Sequence, residues 1–264
     1  MLELNKIHNM DCIDGMKMLD DNSVDLVVTS PPYDNLREYN GYSFDFEATA
    51  QQLFRVVKDG GVVVWVVGDA TINGSETGTS FKQAIFFKEI GFNLHDTMIW
   101  NKGGFSAVGS LATRYAPVFE YMFVFTKGKI ANFNPIKDRE NKNAGCTLAG
   151  TIRNSDGSTK RMSTEGNVLE KYGQRFNIWN IFPQRQSGDN KHPAPFPEEI
   201  AGDHIISWSN VGDLVLDPFM GSGTTAKMAS TLDRKFIGFE ISKEYCDMAN
   251  NRIDMIVRQQ RIQC

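Results

Sequence analysis

The chain of 264 residues is predicted to fold as an α/β protein with a doubly wound, mostly parallel sheet. Apolar runs of strand length alternate with segments of helical periodicity at both ends of the chain. The run at 62–67 is apolar on consecutive positions, which is typical of a central strand covered on both faces. With 41% hydrophobic residues, the chain has enough apolar side chains for a large buried core.

The individual elements follow from the periodicity and from the residues that interrupt it. Gly60, Gly61 and Gly91 follow two of the helical segments, as glycine commonly does at the end of a helix. We predict a loop at 101–116. Strands are expected at 6–11, 24–28, 62–67, 94–100, 118–125, 214–217 and 236–240, and helices at 15–19, 46–57, 80–90, 197–208, from 224, and 243–258.

Between 127 and 190 the α/β pattern is interrupted by Asn, Gly, Ser, Thr and charged residues. We therefore predict one α/β domain formed by 1–126 and 191–264, with 127–190 as a separate irregular insert. The chain has a net charge of −4, but the stretch 127–191 has twelve Lys and Arg against six Asp and Glu. Such a basic insert is compatible with a polyanion bound on one face, and equally with a solvated basic loop.

The composition also argues against several classes of protein. Cys12, Cys146, Cys246 and Cys264 are widely spaced without a C-x-x-C pair, which disfavours a zinc site and a disulfide framework. The sequence has no uninterrupted apolar run of about 18 residues. Its first residues lack the basic and apolar segments of a leader. We expect a soluble cytoplasmic protein with no membrane partner and no metal.

A rigid polar turn, Thr-Ser-Pro-Pro-Tyr at 29–33, directly follows a predicted buried strand. Pro31 and Pro32 fix their own φ angles and keep the preceding residues extended. The Ser30 hydroxyl, the Pro31 carbonyl and the Tyr33 ring are then held in a fixed relation that suits a flat ligand with an amino group. A plain strand-ending turn with a packed tyrosine is the alternative.

A second motif, Asp-Pro-Phe-Met-Gly-Ser-Gly-Thr-Thr at 217–225, follows a predicted strand and begins a helix. Glycines in this setting let backbone amides approach a ligand closely. A phosphate-binding loop would need Lys where Thr224 follows Gly223, and Ala226 makes only a weak match to a dinucleotide fingerprint.

Two acidic residues accompany the glycine loop. Glu240, at the end of the next strand, can accept hydrogen bonds from two ribose hydroxyls, and Asp217 can bind an ammonium group. Together they suit a nucleoside that carries an amino acid. A solvated acid near a strand end is the alternative for Glu240.

The two motifs, in this order, resemble those of the amino-group DNA methyltransferases, which modify N4 of cytosine or N6 of adenine with S-adenosylmethionine. The order, with the catalytic motif first and the cofactor motif last, is similar to the β arrangement of that family. The resemblance spans nearly the whole chain. It implies a sheet of the S-adenosylmethionine-dependent methyltransferase type with circularly permuted motifs, and target recognition by 127–190.

The resemblance also assigns individual residues. Asp11, next to Cys12, matches the acidic position beside the cofactor adenine, and the segment 191–197 matches the one that closes over the methionine end. Phe219 matches an aromatic contact to the cofactor, although a core phenylalanine is a close second interpretation. The expected catalytic residues are Ser30, Pro31, Pro32 and Tyr33, and the expected cofactor-binding residues are Asp11, Cys12, Asp217, Phe219, Gly221, Ser222, Gly223, Thr224, Thr225, Glu240, His192 and Pro193.

The implied reaction is direct methyl transfer to an exocyclic amine of a base flipped out of duplex DNA. Tyr33 is expected to stack on that base, and Tyr39 and Tyr42 either assist or pack within their loop. Methylation at C5 of cytosine is excluded, because it needs a cysteine nucleophile, usually after a proline, and none of the four cysteines follows one. In the family, a serine at the position of Ser30 favours cytosine N4 over adenine N6, which remains the alternative.

Two more remote functions are a methyltransferase of protein glutamine amides, whose glycine loop would normally come first, and a catalytically silent DNA-binding module. The expected partner is double-stranded DNA, and a cognate restriction endonuclease and a homodimeric state are left open. Candidates for DNA contact in the insert are Arg153, Lys160, Arg161 and Arg175, each more often a phosphate contact than a base contact.

Overall fold

The structure is a computed structural model that describes residues 2–32, 44–104, 113–183 and 197–263, with side chains described up to residue 256. The chain divides into two compact units. The larger unit comprises Met1–Asn134 and Asn177–Cys264, and the smaller comprises Pro135–Phe176.

The larger unit contains an eight-stranded sheet and six helices. The strands of the sheet are β1 (Lys6–Asn9), β2 (Val24–Thr29), β3 (Val57–Val67), β6 (Asn93–Asn101), β7 (Phe119–Thr126), β12 (Ile178–Asn180), β13 (Leu214–Asp217) and β14 (Lys235–Glu240), and a small hairpin pairs β4 (Thr71–Ile72) with β5 (Ser75–Glu76). The helices are α1 (Cys12–Lys17), α2 (Phe46–Val56), α3 (Thr79–Glu89), α4 (Glu198–Trp208), α5 (Thr224–Thr231) and α6 (Lys243–Gln263).

The sheet has the strand order β1-β14-β13-β2-β3-β7-β6-β12. Neighbouring strands from β1 to β3 pair in parallel, β7 pairs antiparallel with both β3 and β6, and β12 pairs in parallel with β6. Within this sheet, therefore, β7 alone runs against the others. The predicted mostly parallel α/β fold is confirmed.

Both faces of the sheet are covered, which accounts for the consecutive apolar residues of β3. Its residues Val62, Val64 and Val66 belong to one buried cluster, with side chains from α4, α5 and α6. The intervening residues, Val63, Trp65 and Val67, belong to a second cluster, with side chains from α1, α2 and α3. Because successive side chains of a strand point to opposite faces, a doubly covered strand must be apolar at every position.

Three local differences from the predicted elements have physical causes. Helix α1 begins at Cys12 rather than 15, because the Asp11 carboxylate caps its first turn. Strand β3 begins at Val57 and includes Gly60, whose amide donates to the carbonyl of Lys127 over 2.6 Å, so the glycines that were predicted to follow a helix lie within a strand. The apolar cluster at 178–182 supplies β12, which gains partners only from the edge strand β6.

The smaller unit contains short antiparallel pairs of strands. One pairs β8 (Arg139–Glu140) with β11 (Tyr172–Gly173), and the other pairs β9 (Thr151–Arg153) with β10 (Thr159–Arg161). Across the described part of both units, no helix is long and apolar enough to cross a membrane.

Candidate active site

Four neighbouring strands end side by side at one edge of the sheet, each on a polar residue. In sheet order, β1, β14, β13 and β2 end at Asn9, Glu240, Asp217 and Thr29. The chain continues from β13 to β14 but from β2 to β3, on opposite sides. In doubly wound sheets a ligand crevice lies at the carboxyl ends of strands whose connections diverge in this way. Both sequence motifs therefore meet at this switch point.

Two side-chain hydrogen bonds join the motifs across the switch point. The Thr29 hydroxyl donates to Asp217 Oδ1 over 2.6 Å, and the Thr225 hydroxyl donates to the Val28 carbonyl over 3.3 Å. The amide of Phe219 also donates to Asp217 Oδ1, over 3.0 Å. Thr29 has no exposed surface. These contacts hold the end of β2 and the start of the glycine loop at a fixed separation.

Asp217 occupies an unusual electrostatic position. Burial raises the pKa of its carboxyl to about 6, and the hydrogen bonds from Thr29, Thr225 and Phe219 offset only part of that effect. The negative charge of Glu240 adds to the increase. A cationic group that bound nearby would favour the charged form of this carboxyl.

The catalytic candidates follow Thr29 directly. Ser30 and Pro32 are partly buried and Pro31 is buried, in a segment without helix or strand. The structure thus brings Ser30 and Pro31 to the edge at which β2 and β13 end. The other predicted site residues Tyr33, His192 and Pro193, and the loop tyrosines Tyr39 and Tyr42, lie outside the described residues.

The loop between β13 and α5 depends on its glycines. Gly221 and Gly223 have φ angles of 53° and 81°, in a region that side chains disfavour. A Cβ atom on Gly223 would lie 2.9 Å from the Cβ of Ala249. Ser222 and Thr224 are buried around them. The loop therefore presents backbone rather than side chains at the mouth of the crevice.

Glu240 holds this loop from the end of β14. Its Oε2 accepts from the Gly221 amide over 2.9 Å, and its Oε1 accepts from the Ser242 amide over 2.8 Å. Burial raises the pKa of Glu240, and these amides act in the opposite direction. A carboxylate offers about four acceptor positions, more than the backbone amides use. Glu240 can therefore still accept hydrogen bonds from a ligand.

Asp11 and Cys12 lie beyond β1, next to β14. The Asp11 carboxylate accepts from the amides of Ile13 and Asp14 over 2.8 and 3.3 Å, as the cap of α1. Burial raises the pKa of the Cys12 thiol to about 11, so it stays protonated. Asp11 therefore contributes a fixed carboxylate, and Cys12 contributes packing.

Phe219 has surroundings that agree with both interpretations of it. Its ring is partly buried against the core, with its centroid 5.1 Å from that of Phe44 and 6.3 Å from that of Trp65. The core thus fixes the ring beside the glycine loop.

Sequence reasoning missed two contributors to the cofactor loop. Asn9 Nδ2 donates to the carbonyls of Glu240 and Ile241, each over 2.9 Å. Arg252 of α6 donates to the Ser222 carbonyl over 3.0 Å and to Glu198 over 2.6 Å. No motif in the sequence marks these residues, because they act through strands and helices that are distant along the chain.

The described residues contain no group of three or more His, Cys, Asp or Glu side chains that could hold a metal ion. The donor set at the switch point is instead two carboxylates, hydroxyls and backbone amides.

The family model N6_N4_Mtase, described as DNA methylase, matches residues 24–251. The chain therefore belongs to the N6/N4 DNA methylase family, and it is an enzyme of DNA methylation. Members of this family use S-adenosylmethionine as the methyl donor, and this is the cofactor of the chain.

Curated relatives agree with this membership. The orphan methyltransferase M.BamHII of Bacillus amyloliquefaciens is 58% identical over 240 residues, which cover 88% of this chain and 89% of the relative. The Type II methyltransferase M.BglII of Bacillus subtilis is 31% identical over 260 residues, which cover 93% of this chain and 68% of the relative.

Solved structures show the same fold. The cytosine-N4-specific PvuII DNA methyltransferase has a TM-score of 0.66 at 19% identity, covering 96% of this chain and 93% of the other. A DNA modification methylase of Thermus thermophilus, TTHA0409, solved with S-adenosyl-L-methionine, has a TM-score of 0.64 at 24% identity, covering 94% and 92%.

The residues present fit S-adenosylmethionine. Its sulfonium and ammonium groups are cationic, and Asp217 and Glu240 place two carboxylates at the edge of the sheet. The acceptor positions left on Glu240 match a pair of ribose hydroxyls. The glycine loop admits the close approach of a ligand to backbone amides.

Proposed function

We propose that the enzyme transfers a methyl group from S-adenosylmethionine to the exocyclic N4 amine of cytosine in duplex DNA, at a specific sequence. The observation that carries this proposal is the position of Ser30 and Pro31. They follow β2 at the switch point, one residue after the Thr29 that is bonded to Asp217 of the cofactor loop.

Ser30 and Pro31 would bind the target amine. Its lone pair is delocalised into the base and is a poor nucleophile. The Ser30 hydroxyl oxygen and the Pro31 carbonyl can accept hydrogen bonds from the two amino hydrogens, which draws the nitrogen toward a pyramidal geometry. Fixed acceptors of this kind favour the charge that develops in the transition state.

The bound cofactor supplies an electrophilic methyl group on a positively charged sulfur. The amine nitrogen forms the new bond to carbon, the bonding pair leaves with sulfur, and the nitrogen then loses a proton. That proton becomes acidic as the nitrogen gains positive charge, so no strong base is needed beforehand. Ser30 Oγ is its first acceptor.

The rest of the site positions these groups. Thr29 and Asp217 hold the amine-binding turn against the glycine loop, and Glu240 and Arg252 hold that loop. We propose Asp11, Cys12, Phe219, His192 and Pro193 as further cofactor contacts, as the family resemblance implies. The target base must leave the helical stack to reach the site, and Tyr33 would stack on it.

Relatives support action on DNA, and their names bear on partners. M.BglII is named a Type II methyltransferase and M.BamHII an orphan methyltransferase. The 58% identity to the orphan relative favours an enzyme that acts without a paired restriction endonuclease.

The proposal is tested by incubating the purified chain with unmodified duplex DNA and S-adenosylmethionine labelled with tritium in the methyl group. The DNA is then digested and its nucleosides are separated. Label in N4-methyldeoxycytidine is the expected result. Label in N6-methyldeoxyadenosine would overturn the choice of base while leaving an amino methyltransferase, and unlabelled DNA would overturn the proposed function.

A further inference from the structure

We propose that the hairpin β9–β10 of the smaller unit enters the major groove of the target duplex, with Arg153 and Arg161 directed to base edges. The inference rests on the proposed action on duplex DNA. It assigns sequence readout to one element and to two side chains within the predicted insert.

The hairpin presents its two arginines on one face. In the antiparallel register, Arg153 lies opposite Thr159 and Arg161 lies opposite Thr151. Because side chains alternate along a strand and opposite residues share a face, these four form one face of the ribbon. The other face carries Ile152 and Lys160.

Both faces of this ribbon are exposed. All six residues of the two strands are exposed, including Ile152, which keeps 42% of its surface accessible. A two-stranded ribbon without a covered face gains little stability from its own side chains. Its size is suited to the major groove of DNA, which is about 12 Å wide and admits a two-stranded ribbon.

The turn of the hairpin is rigid and neutralises little of the ribbon's charge. The Asn154 amide donates to the Ser158 carbonyl over 2.8 Å, and Asp156 Oδ1 accepts from the amide and hydroxyl of Ser158 over 2.9 and 2.6 Å. Those bonds hold the Asp156 carboxylate in the turn. The segment 151–161 therefore presents three cationic side chains against one anionic side chain.

The cationic side chains differ in how firmly the unit's own fold engages them. Arg175, the fourth sequence candidate, donates from Nε and Nη2 to Asp138 over 2.8 and 2.5 Å and is committed to the fold. Arg161 has only an exposed partner, Glu165 at 3.6 Å. Among the residues that the structure describes, Arg153 and Lys160 have no ion-pair partner.

Arginine on the ribbon's threonine-bearing face suits a particular readout. Its planar fork can donate two parallel hydrogen bonds to O6 and N7 of guanine, and a neighbouring threonine methyl can contact thymine. Lys160, on the opposite face, is placed for a phosphate contact. We therefore expect the recognised sequence to contain guanine positions read by Arg153 and Arg161.

Four variants test this assignment: R153A, R161A, R153K and K160A. The recognised sequence is first found by mapping methylated positions in a random duplex library with the wild-type chain. Then kcat/KM is measured on the cognate duplex and on duplexes with single substitutions, at several salt concentrations. Affinity for S-adenosylmethionine and circular dichroism control for folding of each variant.

R153A and R161A are expected to lower kcat/KM on the cognate duplex about 10- to 100-fold and to relax preference at one guanine position each. R153K should not restore that preference, since lysine lacks the fork. K160A should weaken all duplexes alike and reduce the salt slope by about one.

Two results would overturn the inference. One is an unchanged sequence preference in R153A and R161A, whether activity is retained or falls uniformly as in K160A. The other is a change in preference caused equally by K160A. If the wild-type chain methylates no DNA, the proposed function fails, and fluorescence anisotropy still tests the hairpin: duplex binding by R153A and R161A equal to that of wild type would contradict it.

Discussion

The switch point between β13 and β2 and the hairpin β9–β10 solve opposite problems. At the switch point Thr29, Thr225 and Asp217 are 0, 1 and 5% exposed and bond to one another or to backbone. In the hairpin, every strand residue is exposed. Chemistry needs groups fixed to a fraction of an ångström by a packed scaffold, whereas recognition needs side chains that can reach a partner.

The largest expected effect comes from removing the amine acceptor at the buried region. S30A should lower kcat about 10²- to 10³-fold, by analogy with removal of one group that stabilises transition-state charge. Affinity for S-adenosylmethionine should not change. The matched control is S23A, at the opposite end of β2, where the hydroxyl donates to the Asp20 carbonyl. Equal losses in both variants would break the contrast between the two ends of the strand.

The next effect is a dependence of stability on pH that comes from Asp217. Its pKa is raised from 3.8 to about 6 on folding, so the folded state binds the proton more tightly. The associated stability is present below pH 4 and is lost as pH rises to about 6, a change of about 3 kcal/mol. Urea unfolding between pH 4 and 7 should show a shallower decline in D217N than in wild type. Parallel curves would refute the buried-carboxyl account.

A third prediction concerns the cofactor loop. E240Q should weaken S-adenosylmethionine binding about 10- to 100-fold, because the amide loses charge and sets an N–H group against backbone amides that now donate to Glu240. Isothermal titration calorimetry measures the change. E244Q, an exposed substitution four residues later, should bind as wild type does. Tight binding by E240Q would remove Glu240 from the cofactor site.

The smallest expected effect sharpens the role of the link between motifs. T29V removes the hydroxyl that donates to Asp217 and should lower kcat about tenfold with little change in KM for the cofactor, the expected scale for a hydrogen bond to a charged group. T29S should restore most of the rate. T126V, at the opposite edge of the sheet, removes a hydroxyl bonded to the Gly128 carbonyl and controls for stability. A similar kcat for T29V and T126V would make Thr29 merely structural.

The two motifs and most elements of the sheet could be predicted from the sequence because each is a local pattern. The periodicity indicated the buried strands, and the prolines and glycines marked the loops that follow β2 and β13. The membership of the family, its fold and its cofactor were likewise expected and are confirmed. These signals lie within about ten consecutive residues.

What could not be predicted depends on which strands become neighbours. Asn9 and Glu240 are 231 residues apart and meet because β1 pairs with β14. Arg252 reaches Ser222 only after α6 packs beside α5. Strand β12 has three residues, too few for a periodic signal, and its partner β6 lies far earlier in the chain. Local patterns do not contain such pairings.

The central claim is that the turn at Ser30 and Pro31 directs methylation to the N4 amine of cytosine. Its most direct test is mass spectrometry of nucleosides from the genomic DNA of a host that lacks N4-methylcytosine and expresses either wild type or S30A. The account predicts N4-methyldeoxycytidine with wild type and little or none with S30A. Absence of the modified nucleoside with wild type, or equal amounts with both proteins, would contradict it.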